Sequence, residues 1–394
     1  MKGFYKRGNR RDFIRQSAAI AGAAPAMIGL GGASFGQSGN SDILCGMIGT
    51  GNRGRTILER IIKLQGVRVA ALCDIQPEAL DKGRSIVAGH KPQTYWYYRE
   101  LLEQQDLDAV FVVTPPYLHK PMVVDVLQSG RHCYAEKPIA LTVNEIEEVR
   151  KEAKKAKGIL QVGQQLRYRP QYRKAMEMIH RGEIGEVGFV RAQRYANWNG
   201  KPRGGKMRWL YSIEESGDQI VEQSVHELDV LNWVMNDHPV RIAGLGGQNM
   251  LFEPKGNQIM DHYGLTLEYP GNRHAIFSML KYAVREMGGT FIHAYGSKAV
   301  FDVSYRGPAK IVWREGQGTP EPTTLDVEDV DMTLESVSDF FRCIRENEQP
   351  FCNIEVAGSA ALTALLGRKA MYERRVVTWR ELLKEGAPVR PRRG

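Results

Sequence analysis

Gly49-Thr50-Gly51-Asn52-Arg53-Gly54 spells GxGxxG between an apolar run, Ile43–Ile48, and an amphipathic stretch that begins near Thr56. In that setting the first glycine permits a tight turn, the second lets backbone approach a pyrophosphate, and the third lets a helix pack against the strand. Gly49, Gly51, Asn52, Arg53 and Gly54 are therefore candidate dinucleotide contacts. Asp74 follows the next apolar run, Val67–Cys73, where a carboxylate can accept hydrogen bonds from the adenosine ribose. It would repel a 2′-phosphate, which favours NAD over NADP, although Arg53 could offset part of that repulsion. Glu136-Lys137-Pro138 closes the run His132–Ala135. A lysine at a strand's carboxyl end faces the ligand crevice of a doubly wound sheet and can exchange a proton with an alcohol oxygen; a surface lysine after a strand reads the same way. Glu222 and His226 lie four apart in a predicted helix, Ile220–Met235, so both project from one face. An imidazole titrating near neutrality suits proton transfer, and an ordinary helix-face pair has the same spacing. No metal site is expected, because His262, His274 and His293 fall singly on predicted strands. The loop Tyr195–Tyr211 mixes Tyr195, Trp198, Trp209 and Tyr211 with Arg203, Lys206 and Arg208. Trp198 and Trp209 could stack on a pyranose face, or the loop could be an oligomer contact.

Such groups need a sheet to hold them. From Ile43 to Ala156 short apolar runs alternate with amphipathic stretches, and the runs are nearly all apolar. That is the pattern of parallel strands covered by helices on both faces. It predicts a doubly wound Rossmann domain over residues 37–160. Beyond it come a helix over Pro170–Arg181, a strand over Glu186–Arg194 and the helix over Ile220–Met235. Strands then dominate, at Arg241–Asn249, His262–Glu268, Arg273–Tyr282, Thr290–Gly296, Lys298–Asp302 and Lys310–Arg314, with tight turns such as Pro270-Gly271-Asn272. Residues 161–394 therefore read as an α+β domain with a largely antiparallel sheet, closed by helices over Leu334–Asn347 and Glu355–Arg374.

The 394 residues, 42% apolar and 25% charged, have an ordinary globular composition and enough length for two domains of about 150 residues each. Five scattered cysteines show no CxxC spacing and read as core or incidental thiols. The net charge of +9 divides unevenly: residues 1–36 hold six basic residues against Asp12 alone, leaving 48 basic and 44 acidic residues interspersed over the remainder. Without a basic stripe, nucleic-acid binding loses its main argument. The six basic residues include the pair Arg10-Arg11, followed by Phe13-Ile14 and a weakly apolar Ala/Gly-rich stretch, Ala18 to Leu30. This resembles a twin-arginine export signal, which predicts a periplasmic protein. The stretch is too short for a ~30 Å bilayer core, so no permanent anchor is expected.

Taken together, Gly49–Gly54, Asp74, Thr114-Pro115-Pro116 and Glu136-Lys137-Pro138, followed by an α+β domain, resemble the glucose-fructose oxidoreductase and inositol dehydrogenase family (Gfo/Idh/MocA) over residues 42 to 375. The resemblance implies an NAD-dependent oxidoreductase with an open sheet in its second domain, associating through that sheet as a homodimer or homotetramer. It places Lys137 beside nicotinamide and substrate, with Glu136 next to it, and assigns cofactor contacts to the loop Thr114–His119, among them Thr114, Pro115 and His119. The family's GxNxR segment corresponds to Gly163-Gln164-Gln165-Leu166-Arg167. Gln165 replaces the usual Asn, and Arg167 becomes a substrate-pocket candidate. The family's catalytic Asp and His match Glu222 and His226, with glutamate a departure whose extra methylene moves the carboxylate. The implied reaction is oxidation of a hydroxyl of a sugar or sugar derivative; combined with the export signal, which would take the protein away from any pool of free NAD, the dinucleotide site predicts a cofactor tightly bound and recycled in place. The alternative is cleavage of a glycoside on the same fold by transient oxidation and elimination.

Overall fold

The computed structural model describes residues 42–385 apart from residue 105 and the segments 198–204, 251–256, 305–306 and 320. The proposed export segment and Trp198 lie outside the described residues.

Six strands form the first sheet: β1 (Ile43–Ile48), β2 (Val67–Cys73), β3 (Gln93–Tyr95), β4 (Ala109–Val112), β5 (His132–Ala135) and β6 (Leu160–Val162). Their order is β3-β2-β1-β4-β5-β6, and every pairing is parallel. This is the dinucleotide-binding order, with the crevice at the switch point between β1 and β4. β4 is buried along its whole length, as expected for a strand covered on both faces. β3 was absent from the apolar pattern because it is a three-residue edge strand, exposed at Gln93 and Thr94. The helix Val143–Lys155 starts where the Thr142 hydroxyl accepts from the Glu145 N–H, leaving Val143, Ile146 and Val149 buried at helical spacing.

The second sheet has nine strands: β7 (Val187–Tyr195), β8 (Arg241–Gly247), β9 (His262–Tyr269), β10 (Arg273–Leu280), β11 (Gly289–Gly296), β12 (Ala299–Ser304), β13 (Lys310–Trp313), β14 (Thr323–Thr324) and β15 (Val377–Thr378). Their order is β14-β13-β12-β11-β7-β10-β9-β8-β15, antiparallel except between β10 and β7. Side chains alternate along β10: Ala275, Phe277 and Met279 are buried and Ile276 is exposed, so one face packs on helices and the other is open.

Two departures from the sequence pattern matter for the site. The helix expected over Ile220–Met235 is two: a single turn, Gln219–Glu222, and a longer helix, Val225–Met235. The other is the helix Met332–Glu346, which follows β14 of the second sheet in sequence but returns to the first sheet. Its Phe340 packs edge-on against Phe111 of β4 and Tyr134 of β5, at 5.4 and 5.7 Å between centroids. Ser336 on the same helix hydrogen-bonds the Tyr134 hydroxyl at 3.0 Å. All five cysteines are buried free thiols. Burial raises the Cys45 and Cys73 thiols to about 12.

Candidate active site

The turn after β1 is shaped by its glycines. Gly49 has φ +95°, and a Cβ there would lie 2.4 Å from the Val113 carbonyl oxygen; at Gly54 it would lie 2.1 Å from that of Gly49. Each position demands glycine for close packing. At Gly51 a Cβ would meet nothing within 4 Å, so the turn is open to a ligand. The helix Asn52–Ile61 begins there with no side-chain cap and no acidic residue in its first turn, leaving its N–H groups free for an anion. This cradle and donor set fit a dinucleotide pyrophosphate.

Asp74, just past β2, is held before any ribose arrives. Its Oδ2 accepts from the Thr50 N–H at 2.8 Å and the Thr50 hydroxyl at 3.2 Å, and its Oδ1 accepts from the Gln76 N–H at 2.8 Å. Arg53 does not reach that end. Its Nε donates to Glu136 Oε1 at 2.7 Å and its Nη1 to the Thr333 hydroxyl at 3.0 Å, and Gln165 accepts from the same guanidinium once its amide oxygen faces it. The expected offset of Asp74 by Arg53 is thus corrected, because the buried Glu136 carboxylate holds the guanidinium on the far side of the turn. Arg55, whose Nη1 donates to the Thr50 carbonyl at 3.1 Å, lines the cleft along with Arg53.

These residues line one cleft of about 920 Å³, toward the upper end of small-molecule sites. Asn52, Thr114, Pro115, Lys137, Gln165 and Trp209 face it. His119 does not: it is buried, with ring nitrogens 2.6 Å from the Pro138 carbonyl oxygen and 2.8 Å from that of Thr114. Burial holds its pKa below the usual histidine value, and the neutral ring has a single N–H to donate to one of these two carbonyls. Arg167 is likewise corrected from substrate contact to support. Its guanidinium makes a two-pronged, buried pair with Asp229, both contacts 2.8 Å, and stacks 4.7 Å over Trp233. Missed by motif reading were Trp96 and Tyr97 on the cleft rim, whose only signal was the aromatic run Tyr95-Trp96-Tyr97-Tyr98.

Lys137 is the junction of the two halves. Its ammonium donates to Glu222 Oε1 at 2.9 Å and also to the Glu222 backbone carbonyl, and both side chains are about nine-tenths buried. Burial alone would raise the Glu222 pKa, but the Lys137 charge and hydrogen bond hold it below the ordinary carboxylate value. The second oxygen of Glu222 accepts from Gln223, whose own carbonyl accepts from Arg194 at 3.1 Å; Arg194 is paired at 2.7 Å with the fully buried Glu227. Neither Arg194 nor Glu227 belongs to a motif, since the network forms only when β7 meets the helix Val225–Met235.

His226 and Glu222 do not share a helix face, as their spacing implied, because the chain breaks at Gln223-Ser224. His226 is the second residue of the next helix, and its Nδ1 is buried with no hydrogen-bond partner among the described residues. Burial, then the charges of Lys137, Arg194 and Arg53, push its pKa well below the usual value, so the imidazole is neutral. Elsewhere, His262 is paired to Asp261 at 2.7 Å and His293 to Asp302 at 3.2 Å.

Residues 43–164 match the family model described as oxidoreductase family, NAD-binding Rossmann fold, and residues 172–302 match the GFO/IDH/MocA C-terminal domain. An uncharacterized oxidoreductase, YrbE of Bacillus subtilis (strain 168), is 23% identical over 305 residues, covering 76% of this chain and 80% of that one. A glycosyl hydrolase family 109 protein of Shewanella baltica (strain OS155) is 31% identical over 202 residues, which is 45% of this chain and 44% of that protein. Among solved structures, levoglucosan dehydrogenase in complex with NADH and L-sorbose superposes with a TM-score of 0.77 at 15% identity, over 86% of this chain and 99% of that one. That likeness is one of fold.

Proposed function

Because this chain belongs to the GFO/IDH/MocA oxidoreductase family, with an NAD-binding Rossmann domain, we propose that it oxidises a hydroxyl of a sugar or sugar derivative and recycles its cofactor without releasing it. Bound NAD supplies the hydride acceptor for such a reaction. The chain's residues would hold it by the Gly49–Gly54 turn, with Asp74 at the ribose hydroxyls. Lys137 carries the proposal: its ammonium stands at the carboxyl end of β5 on the cleft wall, bonded across to Glu222. From there it hydrogen-bonds the substrate hydroxyl, while neutral His226 takes the proton that the hydroxyl loses. Trp209 lines the same cleft and offers an apolar face to a sugar ring.

A redox-neutral cleavage of glycosides is the second reading, supported by the 31% identity to the Shewanella glycosyl hydrolase family 109 protein. Two wider proposals accompany both. The Arg10-Arg11 segment supports export to the periplasm, where no pool of free dinucleotide is maintained and a retained cofactor is required. The open face of the second sheet exposes Leu245 and Ile276 and, four strands further along, Val312, which supports a homodimer or homotetramer through that face.

Purified protein should carry about one dinucleotide per chain by native mass spectrometry and convert sugars or glycosides without added cofactor. An oxidised sugar together with a reduced acceptor would identify the first reading, and a cleaved sugar with no net oxidation the second. Protein isolated empty, active only with added NAD and releasing NADH to solution, would sink the closed cycle.

A further inference from the structure

Asp218 holds a backbone conformation that belongs to glycine. Its φ is +78° and its ψ 163°, a region in which an L side chain is strained. Gly217 before it has φ +80°, so the chain makes two successive positive-φ steps immediately upstream of the turn Gln219–Glu222. A second glycine would relieve the strain, yet the position holds a fully buried carboxylate. Observed strain of this kind directs attention to what the side chain holds in place.

Its backbone carbonyl accepts the N–H groups of Val221 at 3.1 Å and Glu222 at 2.9 Å, closing the turn that carries Glu222 to Lys137. Its Oδ2 accepts from the Met260 N–H at 3.2 Å and from the Tyr372 hydroxyl. Arg368, one helical turn before Tyr372 on the helix Ile354–Glu373, donates to the Gly217 carbonyl at 2.9 Å. The charges of Arg368 and of Lys281, at the end of β10, both act on the Asp218 carboxylate. The start of the turn is therefore tied to the long helix and to the strand that Met260 precedes. A four-residue turn cannot hold itself, because helix nucleation is unfavourable in so short a segment.

We propose that Asp218 is a positioning residue whose buried carboxylate anchors the turn Gln219–Glu222 and so sets the contact of Glu222 with Lys137. The consequence for turnover rests on the roles given to Lys137 and Glu222 above; the consequence for geometry does not. Asp218→Gly keeps the backbone conformation accessible and removes the anchor. Asp218→Asn retains side-chain oxygen for Met260 and Tyr372 and bears the same backbone strain as the aspartate. Tyr372→Phe removes one anchoring hydroxyl from a helix that carries no site residue.

In a crystal structure of the Asp218→Gly protein, the separation of Lys137 Nζ from Glu222 Oε1 should open from 2.9 Å. Its kcat should fall roughly 10- to 100-fold, the scale of a misplacement of about 1 Å, with dinucleotide retention unchanged. Asp218→Asn should recover most of the loss. Tyr372→Phe should show a smaller fall in kcat without loss of dinucleotide, and it carries the test alone if Asp218→Gly does not fold. An unchanged Lys137–Glu222 contact and kcat within twofold in Asp218→Gly, or unchanged kcat in Tyr372→Phe when that variant stands alone, would overturn the proposal. If the contact opens in Asp218→Gly while turnover holds, Asp218 positions the pair as proposed and the failure falls on the functional reading of Lys137 and Glu222.

Discussion

In the proposed reaction Lys137 and His226 would divide the acid and base work by environment. Lys137 is compensated by Glu222 at 2.9 Å, whereas the buried His226 Nδ1 has no partner among the described residues and three cations act on the ring. Lys137→Ala and His226→Ala should each lower turnover by roughly 10²- to 10⁴-fold, the usual contribution of a general acid or base, while native mass spectrometry still finds dinucleotide on the chain. Full activity in either variant removes that residue from the mechanism. The pH dependence follows from the direction of the His226 shift. Its pKa in the folded chain lies well below the unfolded value of about 6.5, so the unfolded chain takes up the proton first as pH falls. The stability associated with the neutral ring is complete above about pH 6.5 and is lost as pH falls below it toward the folded pKa. The acid limb of the rate profile should likewise lie below the ordinary histidine range. An acid limb near 6.5 that His226→Ala abolishes would mean that the ring titrates as if exposed.

At the scale of elements, the junctions between strands and helices decide which charged residues meet a ligand. Asp74 is aimed by the turn after β1: Thr50 and Gln76 supply three hydrogen bonds, and Gly83 allows the helix Pro77–Ile86 to sit against Thr50, where a Cβ would be only 2.9 Å from the Thr50 Cβ. Asp74→Ser should therefore narrow the preference for NAD over NADP by about 1–3 kcal/mol, the range for a charged hydrogen-bond partner, measured as the ratio of dissociation constants. An unchanged ratio would show that another group selects the ribose. Arg167 carries the opposite expectation. As one half of a buried pair with Asp229, it holds the short segment Gln165–Tyr168 against the helix Val225–Met235. Arg167→Ala should cost about 3–5 kcal/mol in denaturant unfolding, because Asp229 is left buried and uncompensated. The protein that remains folded should keep its KM for substrate; a selective rise in that KM would restore Arg167 to the substrate pocket.

For the whole molecule, the proposed chemistry depends on two sheets meeting at one cleft. Lys137 belongs to the first and Glu222, His226, Arg194 and Glu227 to the part built around the second. The returning helix Met332–Glu346 adds to that union: its Thr333 hydroxyl holds Arg53, and the Asp331 that caps it is paired with Arg60 at 2.9 Å. A folded, cofactor-loaded chain is what a twin-arginine route would carry. Replacing Arg10 and Arg11 by Lys should leave dinucleotide-loaded enzyme in the cytoplasm, assayed by fractionation. An unchanged periplasmic fraction would remove the export proposal without touching the chemistry of the cleft.

The sequence by itself determined the parts of this protein whose physics is local. The glycines of the first turn, the nearly all-apolar runs of β1, β2, β4 and β5, Asp74 at a strand end and Lys137 at another are each dictated by what one short segment can do. The cofactor cradle and the order of alternating strands and helices were therefore legible. Tertiary structure alone decided which charged groups face the ligand. His119 and Arg167 carry the right chemistry at plausible positions, but packing turns them onto carbonyl oxygens and onto Asp229. The break between Glu222 and His226 was equally hidden, since i, i+4 spacing describes a helix that the chain does not form there. Asp218 holds its strained conformation only through contacts with Met260 and Tyr372, 42 and 154 residues away in sequence. No periodicity or motif encodes a hydrogen bond across such a distance; it exists only once the second sheet and its long helix have closed around the turn.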